Sequence, residues 1–396
     1  MRALWCGVIV LLVGACQEQL AMQSQCPDLC PGEGLLVRDT VLLPIVDRDS
    51  TYVGYIGQDD APSLLISTGI AAGEARSWAT LPARPDSVFV LGVRYAYTID
   101  SAAISVSVLA RDTAVRNVYV VVHRVPVTFD STTALAELDS HITPETVVDS
   151  LLLPDTLRSG DIRIKIGLDR IPLLEPDETD STLFGIAFRI SSPVPTGVRL
   201  GSNASVAGGP AYFLFVQAPT ADTTLRKQVI QLPAEKSNYV HEPPATVSPD
   251  NLFLGGKYGS RTILRFSLPR IIKDSGSILR ATLELTPVVP IVGLPNDPAV
   301  VHVRAVLVDV GAKSPAFSGA VGVQQLPTGS TAVQIVEVGD PVSSWLGAAG
   351  LSPALLLAIV PEGGTFSRPE FFSSRGPTGV PRLRITYALS SYPGFP

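Results

Sequence analysis

Histidine, cysteine and tryptophan are scarce in this sequence: four, four and three. The histidines, His123, His141, His241 and His302, are far apart, so no histidine cluster with metal-ligand spacing exists. No HExxH, GxSxG or phosphate-loop pattern occurs, which removes the common zinc-hydrolase, serine-hydrolase and nucleotide-binding signatures. There is no basic run, and the net charge is −6, so no nucleic-acid partner is expected. Arginine outnumbers lysine 24 to 6, which reads as the codon habit of a GC-rich genome. Charged residues reach only 17% against 46% hydrophobic, enough apolar side chain for sizeable cores. The 34 prolines and 33 glycines are spread without a period, as in an all-β chain with many turns.

Long apolar runs are also missing after the N-terminus. There, Arg2 precedes the apolar stretch Leu4–Val13, which is too short to span a bilayer and has the length of a signal-peptide core. Small residues then lead directly into a cysteine at Val13-Gly14-Ala15-Cys16. This resembles the lipobox of bacterial lipoproteins. The resemblance implies cleavage before Cys16, lipidation of Cys16, and a membrane partner through that lipid. The protein is then expected outside the cytoplasm, held at the bacterial envelope on the outer membrane or cell surface. An ordinary secretory signal with a coincidental cysteine is the alternative. Cys26 and Cys30 follow in CPDLCPG. Export favours a local disulfide between them, over free thiols or a metal site that would need two further ligands.

Two 19-residue stretches organise the rest. Asn251–Pro269, NLFLGGKYGSRTILRFSLP, reads as strand, glycine turn, strand and Leu-Pro stop; Leu64–Pro82, LLISTGIAAGEARSWATLP, is a weaker copy. Later strands recur in the same order. Phe89, Leu91, Val93 and Tyr95 alternate, and a shift of 190 lays them on Leu279, Ala281, Leu283 and Leu285. The β-branched stretch Arg116–Arg124 matches Val300–Val310, and Ala211–Ala218 matches the closing Pro381–Ala388. Short helical turns are expected at Thr133–Leu138 and Pro341–Ala349. Repetition in order argues for internal duplication. The expected fold is all-β: two tandem antiparallel β-sandwich, jelly-roll-like domains after a signal peptide and short tether. The divisions are 1–15 signal, 16–34 tether, 35–218 first module, 219–247 linker, 248–390 second module and 391–396 tail.

Four pieces of the second module carry a resemblance: LFLGGKYGSRTILRFSLP, ILRATLEL, VSSWLGAAG before ALLLAIV, and EFFSSRGPTGVPRLRITYA. Together, over about residues 245–390, they resemble the DNRLRE-type repeats of bacterial secreted proteins, which are related to a carbohydrate-binding-module family. That implies a jelly-roll β-sandwich, often an appendage of exported proteins, with polysaccharide as a ligand of some members. Its motifs are mostly core and turn residues, which transfer a fold better than a ligand.

The residues themselves offer few sites. Sugar binding uses aromatic faces beside polar groups, and Tyr52, Tyr55, Trp78 and Tyr258 are the candidates for an exposed platform. Trp345 reads as core. His123 and His302 sit in strands, one per module, at loosely corresponding places; a strand residue on the solvent face or a satisfied buried one explains each without a ligand. Two acidic clusters, Asp47, Asp49, Asp59 and Asp60, and EPDETD with Asp177, Glu178 and Asp180, are the candidates for structural calcium. EPDETD lacks the glycine and spacing of a calcium loop and reads as a solvated acidic loop, so no cofactor is expected beyond that calcium alternative. The function expected is a non-catalytic, lipid-anchored surface protein that binds or adheres, with polysaccharide as the first ligand class. The alternative is a scaffold, filament or surface-layer subunit that self-associates or meets surface proteins through its sheets. A hydrolase, which would need paired carboxylates across a cleft, is the least favoured.

Overall fold

The computed structural model of the protein describes residues 36–46, 48–54, 61–70, 73–176, 180, 182–205, 208–219, 225–242, 248, 250–257, 259–347 and 351–389. The chain opens with β1 (Leu36–Leu42) and β2 (Ser50–Val53). Then come β3 (Leu64–Thr68), β4 (Ala75–Pro82), β5 (Val88–Val90), β6 (Val93–Tyr95), β7 (Thr98–Arg111) and β8 (Tyr119–Val125). A short helix α1 (Leu135–Ser140) leads to β9 (Val147–Leu152), β10 (Gly160–Ile166), β11 (Leu183–Ser191) and β12 (Thr196–Leu200). The first half closes with β13 (Ala211–Pro219), β14 (Leu225–Pro233) and β15 (Lys236–His241). The second half has β16 (Asn251–Phe253), β17 (Ser260–Arg265), α2 (Arg270–Ser275), β18 (Gly276–Leu285), β19 (Ala299–Val306) and β20 (Gly322–Leu326). It ends with β21 (Gln334–Glu337), α3 (Gly339–Gly347), β22 (Ser352–Val360), β23 (Glu370–Phe372) and β24 (Arg382–Leu389). The molecule is all-β, built of antiparallel sheets.

Eleven strands of the first half share one sheet. Its main path runs β14-β13-β7-β12-β3-β4-β11-β8-β9, with β10 on β7 and β15 on β4. Period-two patterning drives it: in β7, Ala102, Ile104, Val106 and Val108 are all buried. The sheet curls over on itself. Phe184 of β11 and Tyr212 of β13 stand five strands apart along that path, yet their rings meet edge-on at 5.5 Å. One core encloses both.

In the second half two sheets pack face to face. The order β1-β24-β18-β21 covers β2-β17-β22-β19-β20. Leu283, Leu383 and Ile385 from the first join Leu264, Val303 and Leu357 from the second in one core. Trp345 of α3 closes one end, 6% exposed and 6.2 Å from the Phe266 ring.

Three expected boundaries change. The first module was expected to begin at residue 35, but β1 pairs along its whole length with β24, and β2 pairs with β17. The first two strands therefore complete the C-terminal sandwich. Asp49, fully buried, fixes this arrangement by accepting from the Ser374 amide at 2.6 Å and its hydroxyl at 2.9 Å. The expected linker 219–247 instead contains β14 and β15, which hydrogen-bond to β13 and β4. The expected single strand through Phe89 and Tyr95 is a hairpin, because Leu91 and Gly92 both take positive φ and reverse the chain.

The two halves meet through a buried junction. Phe366 is wholly buried beside Leu65, Ala75, Tyr239 and Leu294. It lies over Gly197, where a methyl would stand 2.8 Å from its ring. The Tyr239 hydroxyl donates to the Lys257 carbonyl at 2.7 Å, and Ser63 Oγ to that of Gly364 at 2.6 Å. Arg199 pairs with Asp297 at 3.1 Å; burial pushes that carboxyl up despite the arginine. Lys257, 1% exposed, reaches across to the Gly73 carbonyl at 2.8 Å. Its desolvation outweighs the attraction of Glu242 and Glu74, and its pKa falls to about 8.

Two outcomes follow from this junction. Gly197→Ala is expected to cost about 1–3 kcal/mol by urea denaturation, and to cost less in a Phe366→Leu background, where the clash is relieved. For Lys257 the unfolded chain binds more protons between about pH 8 and pH 10.5. Its burial penalty is thus present in full below pH 8 and lifts as pH rises. The stability of Lys257→Met relative to the parent is therefore expected to be highest below pH 8 and to shrink toward pH 10.5, read from denaturation curves at each pH.

Candidate functional site

The outer face of the five-stranded sheet collects the polar and aromatic groups best placed to meet a ligand. Alternation in GSRTILR turns Leu264 into the core and leaves Arg261, Ile263 and Arg265 on the other face. The same rule puts Leu356 and Ala358 of β22 and His302 and Arg304 of β19 on that face. Register aligns one row across the sheet: Tyr52, Arg261, Ala358, His302 and Val323 stand on five successive strands. Ile263, Val306, Ala354, Leu356 and Ala358 make its apolar floor, with Tyr52 packed against them.

A cavity of about 310 Å³ opens here, lined by Arg261, His302, Arg304, Leu356, Ala358 and Glu362, among others. Arg261 grips Glu362 through two bonds of 2.5 Å, and both side chains remain partly exposed. Beside it Arg265 holds Asp309 at 2.5 and 2.7 Å. The Arg265 hydrogen bond holds the Asp309 carboxyl below the usual carboxylate range. Burial pushes the His302 imidazole pKa down, and the nearby Arg304 guanidinium adds to the fall. His302 is thus neutral at pH 7, with one ring nitrogen to donate and one to accept. Among the described residues lining the cavity, Glu362 is the only carboxylate. This arrangement suits holding a polar, ring-shaped ligand on an apolar floor. It does not present the facing carboxylate pair of a glycosidase.

The aromatic platform read from the sequence is not assembled. Trp78 is 3% exposed, so its expected ligand role is corrected. It lies on the outer face of the curled sheet, but Phe129 and Leu138 of the α1 region cover it together with Val125 and Val240. Tyr52 does reach a candidate face. Tyr55, Tyr258, Cys16, Cys26, Cys30, Asp177 and Glu178, with Asp47, Asp59 and Asp60, lie outside the described residues. Asp180 accepts from the Thr182 amide at 2.8 Å and its hydroxyl at 2.6 Å, an ordinary local turn that lowers its pKa. Among the described residues, no group of three or more His, Cys, Asp or Glu side chains could hold a metal ion. His123 and His302 do not occupy equivalent sites: His123 is buried against Thr146, at 3.2 Å, and His302 lines the cavity. Arg304 and Glu362 were not legible as site residues, since each reads locally as a solvent-facing strand or turn charge.

No family model matches the chain, and no curated protein is similar to it. Among solved structures, one of infectious bursal disease virus Gx strain is 12% identical with a TM-score of 0.17, covering 91% of this chain and 77% of its own. One of the Gt strain is 10% identical with a TM-score of 0.12, covering 93% and 81%. These values carry no functional argument.

Arg304→Ala is expected to raise the His302 pKa, because it removes a nearby positive charge. A histidine NMR titration checks this, with the His123 titration unmoved. Trp78→Ala is expected to cost about 3–5 kcal/mol in thermal or chemical denaturation, as for a buried aromatic.

Proposed function

We propose that the chain is a non-catalytic, lipid-anchored protein of the bacterial envelope surface, whose C-terminal sandwich binds polysaccharide on the outer face of its five-stranded sheet. The observation that carries the reading is the row Tyr52, Arg261, Ala358 and His302 beside the 310 Å³ cavity. A sugar ring fits the apolar floor, and its hydroxyls find a neutral imidazole, the Arg304 guanidinium and the exposed edge of the Arg261–Glu362 pair. The lipobox-like Val13-Gly14-Ala15-Cys16 supports the anchor, and the likeness of residues 245–390 to DNRLRE-type repeats supports the ligand class. A scaffold role is the second reading, favoured by β1 and β14, each of which ends its sheet's path.

Two measurements test this. The Cys16→Ser chain, free of lipid, is expected to retain polysaccharides in a glycan array or pull-down. Tyr52→Ala and His302→Ala are each expected to weaken that binding about tenfold or more, whereas Trp78→Phe, inside the core, leaves it unchanged. No retention of any glycan, or binding indifferent to Tyr52 and His302, overturns the reading. Palmitate labelling is expected in the parent chain and absent in Cys16→Ser.

A further inference from the structure

The hairpin of β5 and β6 breaks two rules of a stable surface at once. Its register, Val88 with Tyr95, Phe89 with Arg94 and Val90 with Val93, leaves Leu91-Gly92 as a two-residue turn. Leu91 sits there at φ 49° and Gly92 at φ 84°. Both positions of such a turn are left-handed, which suits Asn-Gly and which a leucine rarely adopts. The same leucine is 90% exposed, and Phe89 and Val93 beside it are 60% and 52% exposed. An isolated exposed apolar residue needs no explanation, but three gathered at a protruding tip do.

The tip is held firmly. Val88 and Val90 alternate inward, each 6% exposed, into the core of the curled sheet. Gln228 of β14 donates through Nε2 to the Phe89 carbonyl at 2.9 Å. Tyr97, just after β6, donates to the Pro85 carbonyl at 2.5 Å and closes the hairpin's base. So Phe89 and Leu91 point outward by construction of a rigid support.

Arginines flank this tip. The Arg94 guanidinium lies over the Phe89 ring, 4.9 Å from its centroid. Arg226 and Lys227, both exposed, immediately precede Gln228 on the strand that touches the hairpin. Asp86, at the base, is the nearest acid in sequence. Arg94 and Arg226 are the cations on the hairpin's side, with Asp86 at the base, whereas Lys227 alternates to the other face of β14, where its ladder partner Gln217 bonds Asp100. An apolar tip flanked by arginine suits the headgroup region of a bilayer. We infer that the Phe89–Val93 tip is a membrane-contact site that inserts its apolar side chains among anionic lipid headgroups. It would then hold the curled sheet against the surface as a contact separate from the N-terminal lipid. This rests on the envelope location proposed above, and not on the polysaccharide reading.

The test uses the full chain with Cys16→Ser, so that loss of the lipid anchor and loss of the tip are distinct results. Co-flotation with phosphatidylcholine vesicles containing phosphatidylglycerol is expected to exceed that with phosphatidylcholine alone, and to weaken with salt. Leu91→Asn suits the turn better than leucine and is expected to raise Tm while lowering co-flotation about tenfold or more. Arg94→Gln with Arg226→Gln is expected to erase the preference for anionic vesicles. A Leu91→Trp chain is expected to show tryptophan emission quenched by brominated acyl chains. Failure of the Cys16→Ser chain to float, or equal flotation of Leu91→Asn, overturns the inference. So does light scattering that shows a Leu91-dependent dimer without vesicles, which would assign the tip to a second copy of the chain.

Discussion

The pairing of β1 with β24 is the constraint on which the rest of the structure depends. Seven successive residues at the start of the described chain lie against the last strand, from Leu36 with Leu389 to Leu42 with Leu383. The curled sheet of the first half is thereby enclosed between β2 and β16, both of which belong to the C-terminal half. It is an insertion in a sandwich that pairs the first and last strands of the described residues. Such pairing has a high loop-closure cost, because over 300 residues separate the partners. It becomes favourable only once the sandwich core exists to receive it. Asp49 then adds a buried, doubly hydrogen-bonded carboxylate that locks the segment to the Ser374 loop.

That closure has a functional consequence. Tyr52 arrives on the candidate face from a strand some 200 residues before its neighbour Arg261. The row beside the cavity therefore draws on strands from both halves of the chain. The junction between the halves complements it with a different balance. Phe366 over Gly197 supplies close apolar contact, while Lys257, Tyr239 and Arg199 spend hydrogen bonds on carbonyls and a carboxylate. The buried lysine is costly and the hydrogen bonds to backbone oxygens restrict where it can sit. This is how buried polar groups select one arrangement of two packed bodies over a looser one.

Much of the local structure was legible in the sequence. Leu383, Ile385 and Tyr387 alternate inward as expected, and the expected helical turn at Pro341–Ala349 falls in a helix, Gly339–Gly347, with Trp345 turned into the core. Strand partners were not legible. A strand's apolar period says which face is buried and nothing about which distant strand supplies its hydrogen bonds, so β1, β14 and β15 were placed as module start and linker. Trp78 failed for a related reason. Its strand alternation puts it on the outer face, but α1, with Leu138 and Phe129 beside it, covers that face. The Gly-Gly-Lys turn, which reads locally as a hairpin connection, sends Lys257 across the junction to Gly73, a partner 184 residues away. Leu91 misled the strand assignment because leucine rarely marks a left-handed turn.

The most direct measurement of the central claim is a set of backbone NOEs on deuterated, amide-labelled protein. The account predicts cross-strand contacts between Thr40 and Ile385 and between Tyr52 and Arg261. Contacts from Thr40 or Tyr52 to strands of the 61–241 region, in place of these, would contradict it. In that case the first strands would belong to the curled sheet, and the candidate face would lose its tyrosine.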